Sequence, residues 1–433
     1  MSSIAVTCGL IILVLLVIML LAGVPIAVAL AVSSIAAILP VLNTGAAVLT
    51  GAQRIFSGIS VFSLLAIPFF ILAGNLMSSG GISRRLVNLC NSFLGHIPGG
   101  LAMVAVATCA FFAAISGSSA ATAAAVGAII VPEMLKHKYD RNFAAGTIAS
   151  SAELGVIIPP SIGLIQYGVA AEQSIGDLFK AGFLPGLFIC GTIMAMAHHL
   201  AKKQGFVPVE KASWAERGKA FKDAILAILM PVIILGGIYS GFFTPTEAAV
   251  VSVFYGLVVG VFVYREIKLK DLKKIFYESV LTMATVLLIM SASTIFGWIL
   301  AKQQIPQALA KAFLGISDSK YVFLLLINVM LLVVGMVCEA GAAMVILAPL
   351  LAPIAQTLGI DLIHFGIIMM TNLAIGMMTP PVGVNLYVVC DSANVKIEGM
   401  MKYLMRYFAV LIADLLIITY FPPLSLLIPT LLK

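Results

Sequence analysis

Charged side chains are scarce in this chain of 433 residues: 10% are Asp, Glu, Lys or Arg, against about 25% in soluble globular proteins. With 62% hydrophobic residues and a mean hydropathy of +1.15, that excludes a water-soluble domain with a polar shell. Polar stretches are short as well. The longest runs from about Ala201 to Asp223, well under the roughly 50 residues a domain needs, so no soluble catalytic domain is expected. The six cysteines (Cys8, Cys90, Cys109, Cys190, Cys338 and Cys390) sit in or beside apolar segments, with no CxxC and no metal-binding spacing to His. Neither a disulfide framework nor a zinc site is expected. GxxxxGKS, GxSxG and HExxH are all missing, so the minimal chemistry of ATP-driven transport and of membrane hydrolysis is lacking, and no enzyme is expected. No charge precedes Arg54, so the apolar run from Ile11 to Ala22 lacks the basic flank of a signal peptide and reads as a retained first span.

What the chain does have is a series of apolar runs. At roughly 20 residues per spanning helix, windows near 4–22, 24–42, 61–78, 143–168, 181–200, 223–240, 246–264, 276–300, 365–388 and 403–421 predict an all-α integral membrane protein with about ten transmembrane helices. Two further apolar stretches, 101–134 and 321–357, are too long for one helix and too short for two spans with a loop. Each is broken near its middle, by Ser116-Gly117-Ser118-Ser119 and by Cys338-Glu339-Ala340-Gly341. Re-entrant helical hairpins fit, since non-helical backbone at membrane depth is tolerated only where protein or a cavity covers it. The net charge of +7 comes from Lys and Arg in short loop clusters, a topology signal and not a nucleic-acid surface. If both hairpins return to the side they entered from, nineteen of the 25 basic residues share one face, which is then cytoplasmic. The other six (Arg54, Lys180, Lys302, Lys311, Lys320 and Lys433) face outward. Both termini are then periplasmic. His198-His199, at the inner end of a span, reads as an interfacial pair and Trp298 as an aromatic anchor near the outer boundary.

Proline positions reveal an internal repeat. Gly23-Val24-Pro25-Ile26-Ala27 matches Phe243-Thr244-Pro245-Thr246-Glu247, Gly155 to Pro160 matches Gly376 to Pro381, and Pro132 is paired with Pro349. Under the topology above, the first repeat (1–222, with the hairpin at 101–134 and a broken helix at 155–161) starts outside. The second (223–433, with the hairpin at 321–357 and a broken helix at 376–383) starts inside. The repeats are expected to be inverted, an arrangement common in transporters. Each hairpin follows a short amphipathic stretch (Ile82, Leu86, Leu89 and Phe93; Ile305, Leu309 and Phe313) that reads equally as an interfacial arm or as an ordinary loop helix.

Chemistry is expected where the helices break. A Pro-Pro pair removes two donors and pushes the preceding residue out of the α region, which orphans carbonyls at a negative helix end. These carbonyls belong to Gly155 and Ile158 beside Pro160, and to Gly376 and Thr379; the hairpin tips add Ser116 and Ser119, and Gly335 and Cys338. Such oxygens suit a hard monovalent cation, so each half offers one Na⁺ site. Ser116, Ser118 and Thr122 stand beside a helix N-terminus, where a substrate carboxylate finds donors, or where the hydroxyls simply cap the helix. Four acids lie in apolar segments, and these are functional candidates because they are costly in lipid. Glu339 is the best placed to meet substrate or ion, Glu247 is expected to complete a capping box with Thr244, Glu153 to orient a site without ligating, and Asp414 has no assigned role.

At these motifs the sequence resembles the large membrane subunit of TRAP transporters (tripartite ATP-independent periplasmic transporters) of the DctM or SiaM type. The resemblance rests on residues 66–77 (AIPFFILAGNLM), 116–127, 158–161 (IPPS), 241–249 (GFFTPTEAA) and 379–385 (TPPVGVN). It implies an inner-membrane, elevator-type transporter that uses the Na⁺ gradient, through about two Na⁺ sites at the tips and breaks, to import an organic acid delivered by a periplasmic binding protein. It also implies a partner, a small four-helix membrane subunit, expected here as a separate polypeptide. The substrate is implied to lie near Ser116, Ser118, Thr122 and Glu339, with Asn385 from the last motif. Sialic acid is favoured, with C4-dicarboxylates and 2-keto acids as the other family substrates. A Glu339 carboxylate is awkward for a diacid and easier for a polyhydroxylated sugar acid. The rival readings are a stand-alone sodium/organic anion transporter, channel or ion exchanger with no binding protein, and an intramembrane enzyme.

Overall fold

A computed structural model describes residues 3–204, 206, 209–314 and 319–432, and every regular element among them is a helix. Among the described residues, eight helices are long and apolar enough to cross a bilayer, or ten if two bent pairs each count as one span: Arg141–Ile157 with Ile162–Ala170, bent by 42°, and Ile397–Tyr420 with Pro423–Leu431, bent by 53°. These ten are not the ten expected windows. Ser119–Lys136 and Ala340–Thr357 qualify on length, whereas Ile26–Ile38 and Leu362–Met377, at 13 and 16 residues, fall short.

Helix Gly100–Ser116 reverses at Gly117 and Ser118 into Ser119–Lys136, with Gly117 left-handed at φ +64°, where a side chain is disfavoured. Its counterpart runs Lys320–Gly335 and then Ala340–Thr357. A broken helix follows each hairpin. Arg141–Ala152 and Leu154–Ile157 lead through Pro159-Pro160 to Ile162–Ala170, and Leu362–Met377 leads through Pro380-Pro381 to Val384–Ala393. From the first hairpin helix to the long helices Ile175–Gln204 and Ile397–Tyr420, matching elements start 220 to 222 positions apart. This corrects one pairing. Pro132 and Pro353, not Pro349, each lie thirteen positions after the start of their helix, because Pro349 is a second proline inside the same helix.

The halves differ ahead of the hairpins. The second half has one helix of 34 residues, Leu269–Lys302, about 51 Å long, where the first has Thr44–Ile59 and then Ala66–Ser79. Thr44–Ile59 falls outside every apolar window because Gln53, Arg54 and Ser57 interrupt it; its helicity lies in its period and in the Asn43 cap, whose side chain accepts from the Ala46 N–H at 2.9 Å. It packs closely on the long helix, with the Ser291 hydroxyl donating to the Ile55 carbonyl at 2.6 Å. A small apolar core joins Cys8, Ile12, Leu30, Ile38, Ile295 and Ile299, while a much larger one gathers the hairpins and broken helices.

Ile82, Leu86 and Leu89 of helix Ile82–Leu94 are buried, so this stripe packs on protein, while Phe93 stays half-exposed under the Arg217 guanidinium. In Ile305–Leu314, Ile305 is buried and Leu309 exposed; the Phe313 side chain lies outside the described residues, as does Lys433. Loops grouped by the basic-residue count do meet. Arg84 and Arg85 pair with Glu266, Arg217 donates to the Ser92 carbonyl at 3.1 Å, and Lys180 donates to the Leu432 carbonyl at 3.3 Å.

Candidate substrate and cation site

At the first tip, hydroxyls close on one another. The Thr122 hydroxyl donates to the Ser118 carbonyl at 2.8 Å and lies 3.0 Å from the Ser116 hydroxyl, which itself reaches the Ser118 carbonyl at 3.3 Å. Ser118 caps the returning helix, accepting from the Ala121 N–H at 3.4 Å. Of the two roles expected of this cluster, capping is seen at Ser118. The break presses against the tip from behind: a Cβ on Gly155 would lie 2.6 Å from both the Ser118 carbonyl oxygen and Thr122 Oγ1, so no residue but glycine fits there. The Ile162 N–H donates to the Gly117 carbonyl at 3.3 Å, which ties the far side of the break to the same turn. Ser161 caps helix Ile162–Ala170 and donates to the Val156 carbonyl at 2.6 Å, so that one orphan of the interrupted helix is satisfied by a side chain.

The second tip is built from backbone. Gly335 and Gly376 cross so closely that a Cβ on Gly376 would lie 2.5 Å from the Gly335 Cα. The Met336 carbonyl accepts from the Val382 and Gly383 N–H groups at 3.3 and 3.1 Å, the counterpart of the Gly117–Ile162 tie. The Gly376 carbonyl, expected to be orphaned, accepts from the Thr379 N–H at 2.8 Å, and the Thr379 hydroxyl donates to the Ile375 carbonyl at 2.7 Å. A tight turn replaces the missing helical donors. Glu339 occupies the capping position, accepting from the Ala342 N–H at 2.9 Å, with its carboxylate otherwise exposed.

Between the tips lies a cavity of about 490 Å³ whose lining includes Ser118, Ser119, Gln166, Glu339, Gly341 and Asn385. Four helices of nine or more residues each bring two first-turn residues to its lining, Ser119 and Ala120, Ile162 and Gly163, Gly341 and Ala342, and Val384 and Asn385, and a fifth, Ile26–Ile38, brings Ile26. A helix N-terminus carries about half a positive charge and favours an anion by about 0.3–2 kcal/mol. Of these four, one is met by the Glu339 carboxylate, two are capped by the neutral Ser118 and Ser161 hydroxyls, and that of Val384–Ala393 has no side-chain cap. No Lys, Arg or His is among the described lining residues, so backbone dipoles supply the positive potential.

Two buried polar side chains line this cavity, Asn385, which was among the expected substrate residues, and Gln166, which was not. Asn385, fully buried, donates through Nδ2 to Glu153 Oε1 at 2.8 Å across the two halves, leaving Asn385 Oδ1 and Glu153 Oε2 without partners. Glu153 thus holds Asn385, in keeping with an orienting role, and does not line the cavity. Gln166, 2% exposed with an unpaired Oε1, carried no signal, because one amide in an apolar run looks like noise.

The sequence matches a family model described as "Tripartite ATP-independent periplasmic transporter, DctM component" over residues 13–424. The chain belongs to the DctM family. An isethionate TRAP transporter permease protein of Oleidesulfovibrio alaskensis is 45% identical over 93% of this chain, which spans 63% of that relative's length. The sialic acid TRAP transporter large permease protein of Vibrio cholerae is 42% identical over 95% of this chain and 96% of its own. The C4-dicarboxylate counterpart of Rhodobacter capsulatus is 38% identical over 96% and 98%. Among solved structures, the YdaH transporter of Alcanivorax borkumensis shares the fold, with a TM-score of 0.66 at 16% identity, covering 88% of this chain and 90% of that one.

In this DctM-family chain the expected substrate residues divide. Ser118, Glu339 and Asn385 line the cavity; Ser116 and Thr122 stand behind it, engaged within the tip. Of the expected cation residues, Ser116, Ser119, Gly155, Ile158 and Pro160 gather at the first tip and break, and Gly335, Gly376 and Thr379 at the second. Cys338, expected to offer its carbonyl at the second tip, also lines a separate apolar cleft with Val333, Val334 and Val337. Glu247 completes its capping box with Thr244, and buried Asp414 accepts from the Thr192 hydroxyl at 2.5 Å between two long helices, a partner the sequence could not name.

Proposed function

We propose that this chain is the transporting subunit of a Na⁺-coupled importer of an organic anion, working by an elevator movement with a small four-helix membrane subunit and a periplasmic binding protein. Four helix N-termini around one cavity, only one of them capped by a carboxylate, carry this reading, since they favour an anionic head without a basic side chain. The Glu339 carboxylate on the same wall repels a second acidic group, which favours a singly charged head such as that of sialic acid or isethionate over a C4-dicarboxylate. Two Na⁺ ions are assigned to the oxygens around Ser116, Ser119, Gly155, Ile158 and Pro160, and around Gly335, Cys338, Gly376 and Thr379.

The paired element order supports two inverted repeats, 1–222 and 223–433, with both termini in the periplasm of an inner-membrane protein. The separate small core made by the first helices and Leu269–Lys302 supports a scaffold distinct from the mobile hairpin body. Proteoliposomes holding this chain, the small subunit and a panel of binding proteins test the proposal. Uptake is expected only with all components and a Na⁺ gradient; uptake by this chain alone, or without the gradient, identifies a stand-alone transporter or exchanger.

A further inference from the structure

Gln166 is a costly residue for the wall it occupies. Its neighbours around the cavity include Val156, Ile162, Met370 and Met377, and an apolar side chain would pack there without penalty. Instead, a buried amide leaves Oε1 with no hydrogen-bond partner, a desolvated acceptor of the kind that destabilises a fold. The oxygen lies against the second hairpin tip, where a Cβ on Gly341 would stand 2.2 Å from it. Glycine at 341 is therefore required for the amide to hold this position. It also stands at the mouth of a helix N-terminus, beside Glu339 and across from Asn385, whose own Oδ1 is unpaired because Nδ2 is committed to the Glu153 carboxylate.

Both free atoms are acceptors. A carboxylate or sulfonate head brings only acceptors, so the head belongs at the helix N-termini, and the donor must come from elsewhere on the transported molecule. We propose that Gln166 is a specificity-determining residue whose Oε1 accepts a hydrogen bond from a hydroxyl group of the substrate, so that the transported class is hydroxylated organic anions. This rests on the reading of the cavity as an anion site and narrows it. A site with an orphaned acceptor rejects the analogue that lacks the donor, because binding that analogue leaves the acceptor unpaired.

The test uses the full assembly in proteoliposomes under a Na⁺ gradient, with matched pairs as probes: 2-hydroxyethanesulfonate and ethanesulfonate, lactate and propionate, malate and succinate, and N-acetylneuraminate beside them. Wild-type protein is expected to prefer the hydroxylated member of the pair it transports by roughly 10- to 100-fold in kcat/KM. Gln166→Met, which keeps the length and removes the acceptor, is expected to bring that ratio to within about threefold of unity. Gly341→Ala, which displaces the amide without altering it, is expected to move the ratio the same way, and carries the test if Gln166→Met does not assemble. A ratio near unity in wild type, or a wild-type ratio retained in the variants, overturns the inference while leaving the importer reading intact. Failure to take up any organic anion under any condition refutes the importer reading itself.

Discussion

The two hairpin tips occupy the same place in the repeat and solve the same problem differently. Position 118 and position 339 are both helix caps, but one is a half-buried serine inside a ring of hydroxyls and the other an exposed carboxylate above a glycine crossing. The first tip turns its side-chain oxygens inward, toward Gly155 and one another. The second fills its interior with backbone and sends its one polar side chain into the cavity. A shared backbone plan thus presents different groups: neutral side-chain oxygens at one tip, a carboxylate at the cavity wall at the other.

The strongest way to break this comparison is to crowd each break. Gly155→Val and Gly376→Val drive side chains into backbone atoms 2.6 and 2.5 Å away, an overpacking worth about 1–3 kcal/mol or more. Each is expected to lower Na⁺-driven uptake by at least ~100-fold, and residual transport should need more Na⁺. An unchanged Na⁺ activation curve in both variants would remove the cation assignment.

Exchanging the caps sharpens the comparison. Glu339→Gln keeps an acceptor for the Ala342 N–H, so the melting temperature should barely move, within about 1 kcal/mol of stability. Uptake is nevertheless expected to fall about tenfold or more, the cost of one charge-dependent contact. Ser118→Ala, losing a long 3.4 Å bond, is expected to cost only about 0.5 kcal/mol with a smaller loss of uptake. Wild-type transport by Glu339→Gln from pH 6 to pH 8 would leave Glu339 without a part in the mechanism.

Several polar contacts join the halves, among them Thr147–Tyr407, Thr192–Asp414 and Glu153–Asn385, and a double-mutant cycle on Glu153→Gln and Asn385→Leu isolates the one at the cavity. Residues in direct contact couple by about 0.5–3 kcal/mol. A coupling near zero in thermal melts would show that this contact contributes nothing to holding the halves together.

The smallest functional effect is expected from labelling. Single cysteines beside Lys138 and Lys270 should resist impermeant reagents added from outside, and one beside Lys320 should react, with transport unaffected. Outside labelling near Lys138 would mean that the first hairpin crosses the membrane, and the two tips would no longer enter from opposite faces.

Runs of apolar residues, the clustering of basic loops and the spacing of prolines determined by themselves that this is a helical membrane protein with two hairpins and two broken helices. Those signals are one-dimensional: a helix that crosses lipid must be apolar along its length, and proline interrupts it wherever it falls. Amphipathic Thr44–Ile59 escaped the reading, since its apolar residues form a stripe and not a run. The Pro132 pairing went astray for a related reason, because two prolines in Ala340–Thr357 compete for one partner until the helix start is known. The site was legible as a set of segments and not as an arrangement. Only tertiary structure decided that Gly155 presses against Ser118 and Thr122, that Asn385 reaches Glu153 from 232 positions away, and that Gln166 rests on Gly341. Local sequence sets which groups a helix offers. Which of them lose water, find partners or stay unpaired depends on what another helix, distant in the chain, brings against them.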